Sequence, residues 1–167
     1  MENKSGIVSL SFGAPGNTIV NRLLARITTQ LALLHNFPIY TQQDIQIEYF
    51  SLSVNTTFTE EELGSPPPTL RIMRGAVRWA IARDIKTLWL VAAKPHQSRA
   101  VRDLELAIKE LKENIVIRAC TEADPFSNNF WFSPESAQWP TRSAWQWKIY
   151  NWPLEHMPTQ LYTWITS

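Results

Sequence analysis

The sequence predicts a three-layer α/β sandwich: a mostly parallel sheet with helices on both faces and a tryptophan-rich C-terminal wrap. Three observations predict it. Strand-like and helix-like patterns alternate from Gly6 to Cys120, and the helical stretches carry apolar residues on one side only. From Asp124 onward the composition changes, and this last part holds six of the eight tryptophans. The 167 residues, 44% hydrophobic and 19% charged, suit a single domain spanning residues 1–167, with 7–120 as its α/β core and 124–167 packed on that core.

The first element is a strand in "GIVSLSF", Gly6 to Phe12, followed by the turn "GAPGNT" with Asn17 placed to cap a helix. From Asn17 to His35 the residues Val20, Leu23, Leu24, Ile27, Leu31 and Leu34 recur at three- and four-residue steps, so this helix buries one side before Asn36 and Pro38 end it. "PIYTQ" and "IQIEYFSLSV" read as two strands, the second through the alternation of Ile45, Ile47 and Tyr49. The polar stretch Asn55 to Ser65, followed by Pro66 to Pro68, reads as a surface loop, with Ser65 or the prolines opening the next helix. That helix, Leu70 to Asp84, turns Leu70, Met73, Val77, Ala80 and Ile81 inward. "KTLWLVAA" is a buried strand, Ser98 to Asn114 a helix with Val101, Leu104, Ile108 and Leu111 inward, and "IVIRAC" the closing strand. Within the C-terminal part, Trp145, Ile149 and Trp152 at helical steps predict one short helix in a long, mostly irregular wrap. Its rings are expected to cover the core; Trp145, Trp147, Tyr150 and Trp152 occupy more than one helical face, so some are expected to meet a second element or a second subunit in a homodimer.

In such a sheet ligands gather at the carboxyl ends of the strands, beside helix N-termini whose N–H groups are unsatisfied. "LVAAKPHQSRA", residues 90–100, occupies that place. Arg99 offers a planar fork of donors, Lys94 a point charge, Ser98 a hydroxyl that also suits a helix cap, and His96 a donor or a titratable proton. The group suits a phosphate or carboxylate. Gly13 and Asn17 form the second candidate contact, because glycine admits close backbone approach and a helix start favours an anion. Arg71, Arg74 and Arg78 form a positive stripe that reads as a solvated face, with Arg74 or Arg71 near enough to the helix start to reach the pocket.

Other chemistries lack their residues. There is no Walker A loop, no G-x-G-x-x-G fingerprint, no nucleophile elbow and no triad pattern. His35 and His156 stand in no metal-ligand spacing, and Cys120 reads as a buried core thiol, so no metal is expected. A net charge of +1 gives no general field for nucleic acid or an anionic membrane, and no stretch has the ~20 apolar residues of a membrane span. With a single cysteine and no secretory h-region after "MENKSG", the expected location is the cytoplasm.

The same residues 90–100 resemble the LVTS-x-x-H-x-x-R-A signature of the SanA/YdcF-like proteins: Leu90, Val91, His96, Arg99 and Ala100 match, while Ala92 and Ala93 stand where that family has Thr and Ser. "SLSFG" is similar to the family's first strand and loop through Gly13, and Thr69 fits the threonine of its N-T-x-E-N-A helix start, whose other positions differ here. The resemblance covers roughly residues 7–120 and implies a Rossmann-like fold with an uncharacterised ligand pocket. Several members are envelope proteins held by a membrane segment; none is expected in these 167 residues. The expected function is binding of a small anionic molecule, a nucleotide-like ligand or S-adenosylmethionine, between Gly13, Thr69 and the Lys94 to Arg99 stretch. Arg99 would hold the anion and His96 would orient it or act as acid or base. As an enzyme the protein would transfer or hydrolyse a group on a phosphorylated or nucleotide-type substrate; the alternative is a non-catalytic interaction protein that uses its aromatic C-terminal surface.

Overall fold

A computed structural model describes residues 4–47, 53–59 and 68–166. Five strands, β1 (Ser5–Ser9), β2 (Ile39–Thr41), β3 (Thr56–Phe58), β4 (Thr87–Val91) and β5 (Val116–Ala119), form one all-parallel sheet in the order β3-β2-β1-β4-β5. The helices are α1 (Ile19–His35), α2 (Thr69–Ala82), α3 (Lys94–Glu110), α4 (Ala144–His156) and α5 (Thr159–Ile165). The strand order is that of a Rossmann-like sheet.

The alternation of side chains along β1 and β4 divides the core into two layers. Val8, Leu88 and Leu90 pack with Leu70, Met73 and Val77 of α2 and with Ala100 and Leu104 of α3. Ile7 and Val91 pack on the other face with Val20, Leu24, Ile27 and Leu31 of α1. Both faces being covered, Ile7 and Val8 of β1 and Leu88, Leu90 and Val91 of β4 are fully buried, as expected of central parallel strands. The C-terminal part feeds both layers: Trp131 and Trp147 join the α1 side, and Tyr162 with Leu154 and Met157 joins the α2–α3 side.

Several expectations are corrected. Ile45 and Ile47 are buried but lie in a turn, where Ile45 N–H bonds to Gln42 C=O and Ile47 N–H to Ile45 C=O, so their amides are satisfied locally rather than by a sheet neighbour. The remainder of that expected strand includes residues 48–52, outside the described residues. The outer strand is instead β3, inside the stretch read as a loop: Thr56 and Thr57 are β-branched and pair at the sheet edge, where polar side chains are tolerated. The expected start of α2 at Ser65 or the prolines falls largely outside the described residues, and Pro68 is the residue that caps it. On α2, Ile81 is 42% exposed and Trp79 is buried in its place, its indole Nε1 donating to Thr57 Oγ1 at 3.2 Å. Leu34, read as inward, is 76% exposed: in the last turn of α1 it is His35 that meets the core side, stacked on Phe37 and Trp89.

Helix α3 begins at Lys94, four residues before the expected Ser98, because Pro95 sits in the first turn, where its missing N–H costs nothing. Ser98 is therefore not a cap; the capping position is Ala93. Likewise Thr18, not Asn17, caps α1, its hydroxyl accepting from Asn21 N–H. The C-terminal part is more helical than expected, with two 3₁₀ turns at Asn128–Trp131 and Trp139–Thr141 before α4 and α5. Its stripe Trp145, Ile149 and Trp152 faces outward at 61%, 58% and 61% exposure. Among the described residues no helix is long and apolar enough to cross a membrane.

Candidate functional site

The strand order reverses between β1 and β4, so the chain leaves these neighbours toward helices on opposite faces and opens a crevice at their carboxyl ends. A cavity of about 500 Å³ fills it. Leu10 to Gly13 after β1, Thr69 at the start of α2 and His96 and Arg99 in the first turns of α3 form its base; Trp147, Tyr150 and Leu154 of α4 and Tyr162 of α5 close it from the C-terminal part.

Gly13 has φ +85, a left-handed conformation that favours glycine, and a Cβ there would lie 2.8 Å from Thr141 Oγ1 and 2.9 Å from Ser136 Oγ. Its carbonyl accepts from Asn21 Nδ2 at 2.9 Å, and the Asn21 Oδ1 accepts from Phe12 N–H at 2.9 Å. Fully buried Asn21 thus fixes the loop that forms one wall.

Thr69, His96 and Arg99 meet at one atom. His96 Nε2 lies 3.2 Å from Thr69 Oγ1 and 3.2 Å from Arg99 Nη2. A guanidinium can only donate, so Nε2 is the acceptor and the neutral ring carries its proton on Nδ1. Burial, and then the Arg99 charge, hold His96 well below its ordinary 6.5, which keeps that ring neutral at physiological pH. Neutral His96 is a hydrogen-bonding and positioning group rather than a ready proton donor.

Arg99 is 6% exposed, and its buried Nε and Nη1 have no hydrogen-bond partner among the described residues. Its guanidinium lies 5.1 Å from the Trp147 ring centroid and 5.6 Å from that of Tyr150, contacts that favour a cation without using its N–H groups. One turn along α3, fully buried Asp103 accepts from Tyr162 Oη at 2.6 Å and from Arg102 Nη2 at 3.2 Å. Burial raises the Asp103 carboxyl above its ordinary value despite these partners, and burial with the neighbouring Asp103 raises the Tyr162 phenol.

Of the eight residues singled out from the sequence, the structure brings Gly13, Thr69, His96 and Arg99 to the cavity wall. The other four lie elsewhere. Because the expected loop is the first turn of α3, its donors divide between helical faces: His96 and Arg99, three apart, face the cavity, while Lys94 and Ser98, four apart, face outward. Lys94 Nζ donates to Asp124 C=O at 3.3 Å and Ser98 Oγ to Glu155 Oε1 at 3.3 Å. Arg74 forms a two-point ion pair with Glu110 of α3, at 2.7 and 3.0 Å, and Asn17 is exposed. Arg71 and Arg78 are exposed.

Asn21, Asp103 and Tyr162 were not singled out from the sequence, and Trp147 and Tyr150 were expected to meet a second element or subunit but not placed at the site. Asn21 left a faint signal as an amide three residues before Leu24 on the buried face of α1, and Asp103 a similar one beside Leu104. The aromatic residues gave none, since their places depend on how the C-terminal part returns. Among the described residues no group of three or more His, Cys, Asp and Glu comes together. Cys120 is buried, and burial followed by the Glu122 hydrogen bond pushes its thiol up to about 12.

No protein-family model matches the chain, and no curated protein does. Among solved structures, the universal stress protein from Archaeoglobus fulgidus in complex with dAMP is 16% identical, with 69% of this chain and 96% of that one covered at a TM-score of 0.36. A second structure of universal stress protein from the same organism is 16% identical, covering 70% of this chain and 93% of its own, also at a TM-score of 0.36.

Proposed function

We propose that this protein binds a small organic anion in the cavity between β1 and β4, with Arg99 as its counter-ion. The observation that carries this reading is a guanidinium, buried at the cavity wall, with two nitrogens that have no hydrogen-bond partner among the described residues. Burying a cation is costly unless opposite charge and hydrogen bonds compensate; the nearby Asp103 carboxylate is shared with Arg102, and a ligand anion would supply the hydrogen bonds and the remaining charge. Thr69 and neutral His96 supply the polar edge, and the likeness of residues 90–100 to the SanA/YdcF-like signature singles out the same His96 and Arg99.

A panel of small organic anions followed by thermal unfolding tests the reading. A ligand at 100 times its Kd adds about 2.7 kcal/mol, which raises Tm by roughly 5 to 10 °C in a chain of this size. At least one anion should stabilise the native protein and lose that effect in Arg99→Gln. Equal stabilisation of a folded Arg99→Gln variant, or none of the native protein, would contradict it. A second reading, an interaction protein that pairs as a homodimer through its aromatic surface, is favoured by the outward Trp145, Ile149 and Trp152. Sedimentation that shows a monomer at high concentration would remove it.

A further inference from the structure

The charge and shape of the cavity wall narrow the class of anion, and this step rests on the reading just given. Among the described lining residues Arg99 supplies the single fixed positive charge. The remaining polar groups are uncharged hydroxyls and amides, such as Thr69, Thr141, Thr166, Gln42 and Gln138, together with the His96 ring. The rest of the wall is apolar or aromatic. Phe12 and Trp147 meet edge to face at 4.8 Å between centroids, and Trp147 and Tyr150 lie 6.1 Å apart, so rings border the space next to the guanidinium.

We infer that the ligand is a monocarboxylate on a flat aromatic body, an arylalkyl carboxylic acid rather than a phosphate ester or polyphosphate. With the Asp103 carboxylate ion-paired to Arg102, one further carboxylate balances the Arg99 guanidinium and matches its planar donor geometry. A phosphate monoester brings close to two negative charges at neutral pH, and the second would be desolvated without a partner. A nucleoside triphosphate would add still more. The aromatic body gains apolar burial and ring contacts against Phe12, Trp147 and Tyr150, and about 500 Å³ falls within the usual range of small-molecule sites.

Isothermal calorimetry on the full chain distinguishes the cases with five probes: 3-phenylpropionate, 3-phenylpropionamide, acetate, phenyl phosphate and AMP. The expected result is binding of 3-phenylpropionate, with the amide, acetate and both phosphate esters each at least tenfold weaker. Phenyl phosphate or AMP binding as tightly as the carboxylate, or more so, overturns this inference and leaves the anion reading standing. An amide that binds as well as the acid overturns both, and so does failure of every probe to bind at millimolar concentration. The amide arm needs no variant, so the outcome does not depend on whether Arg99→Gln folds.

Discussion

Tyr162→Phe tests how the C-terminal helix is fixed over the cavity. The substitution removes one oxygen and keeps the ring that Arg102 covers at 4.2 Å, so apolar packing and the cation–π contact stay. What is lost is the 2.6 Å hydrogen bond from the phenol to Asp103 Oδ2, a group with no exposed surface. A hydrogen bond to a charged partner contributes about 1.5–3 kcal/mol, and the carboxylate left one donor short is costly by a similar route. Urea unfolding should therefore show a loss of about 2 kcal/mol, with the midpoint lowered and the slope unchanged. A cycle with Asp103→Asn separates the pair from the rest: the double variant should lose less than the sum of the singles. The sign of the pH effect is fixed as well. The folded Asp103 carboxyl holds its proton above the ordinary 3.8, so the folded state binds more protons, and this group's contribution to stability falls as pH rises from near 4 through the folded value. Without the phenol that lift grows, so Tyr162→Phe should lose more stability at pH 7 than at pH 4. A loss under ~0.5 kcal/mol, the range of surface changes, would refute the view that the Tyr162–Asp103 bond fixes α5 over the cavity.

Leu90→Ala should cost about 2–5 kcal/mol, because Leu90 is completely buried at the centre of the sheet; denaturant unfolding measures it. Arg74→Ala should cost no more than ~1 kcal/mol and leave ligand affinity unchanged, since the Arg74–Glu110 pair is partly exposed and away from the cavity wall; unfolding and calorimetry on the same sample check both. Truncation after Ala123 removes Trp131, Trp147 and Tyr162 from the two core layers and should yield aggregated or molten protein that binds an apolar dye. A sharp unfolding transition without dye binding would show that the C-terminal part is dispensable for the fold.

The layers were legible because periodicity records burial directly: Val20, Leu24 and Ile27 face the sheet at helical spacing, and "TLWLV" reads as a strand covered on both faces. The outermost strand was not. Three residues at an edge bury too little to leave an alternation, while Ile45 and Ile47 alternate and bury without pairing. At the site, the position of residues 90–100 was readable from where strands end, but the division of its donors required the helix start. Reading Lys94 to Arg99 as loop placed four donors together; a helix that starts at Lys94, with Pro95 in its first turn, separates them. The ring contacts on Arg99 come from residues about 50 positions later, and the local pattern around Trp147 and Tyr150 carries no trace of them.

The central claim is that Arg99 receives the anion, and the guanidinium's own resonance reports it most directly. The ¹H–¹⁵N correlation of Arg99 Nε can be assigned by its absence in Arg99→Gln and followed during titration with 3-phenylpropionate. A saturable shift of that signal with slower exchange of its proton, at the affinity found by calorimetry, is the predicted result. An Arg99 signal that stays in place while 3-phenylpropionate binds, or that moves only linearly with ionic strength, would contradict it.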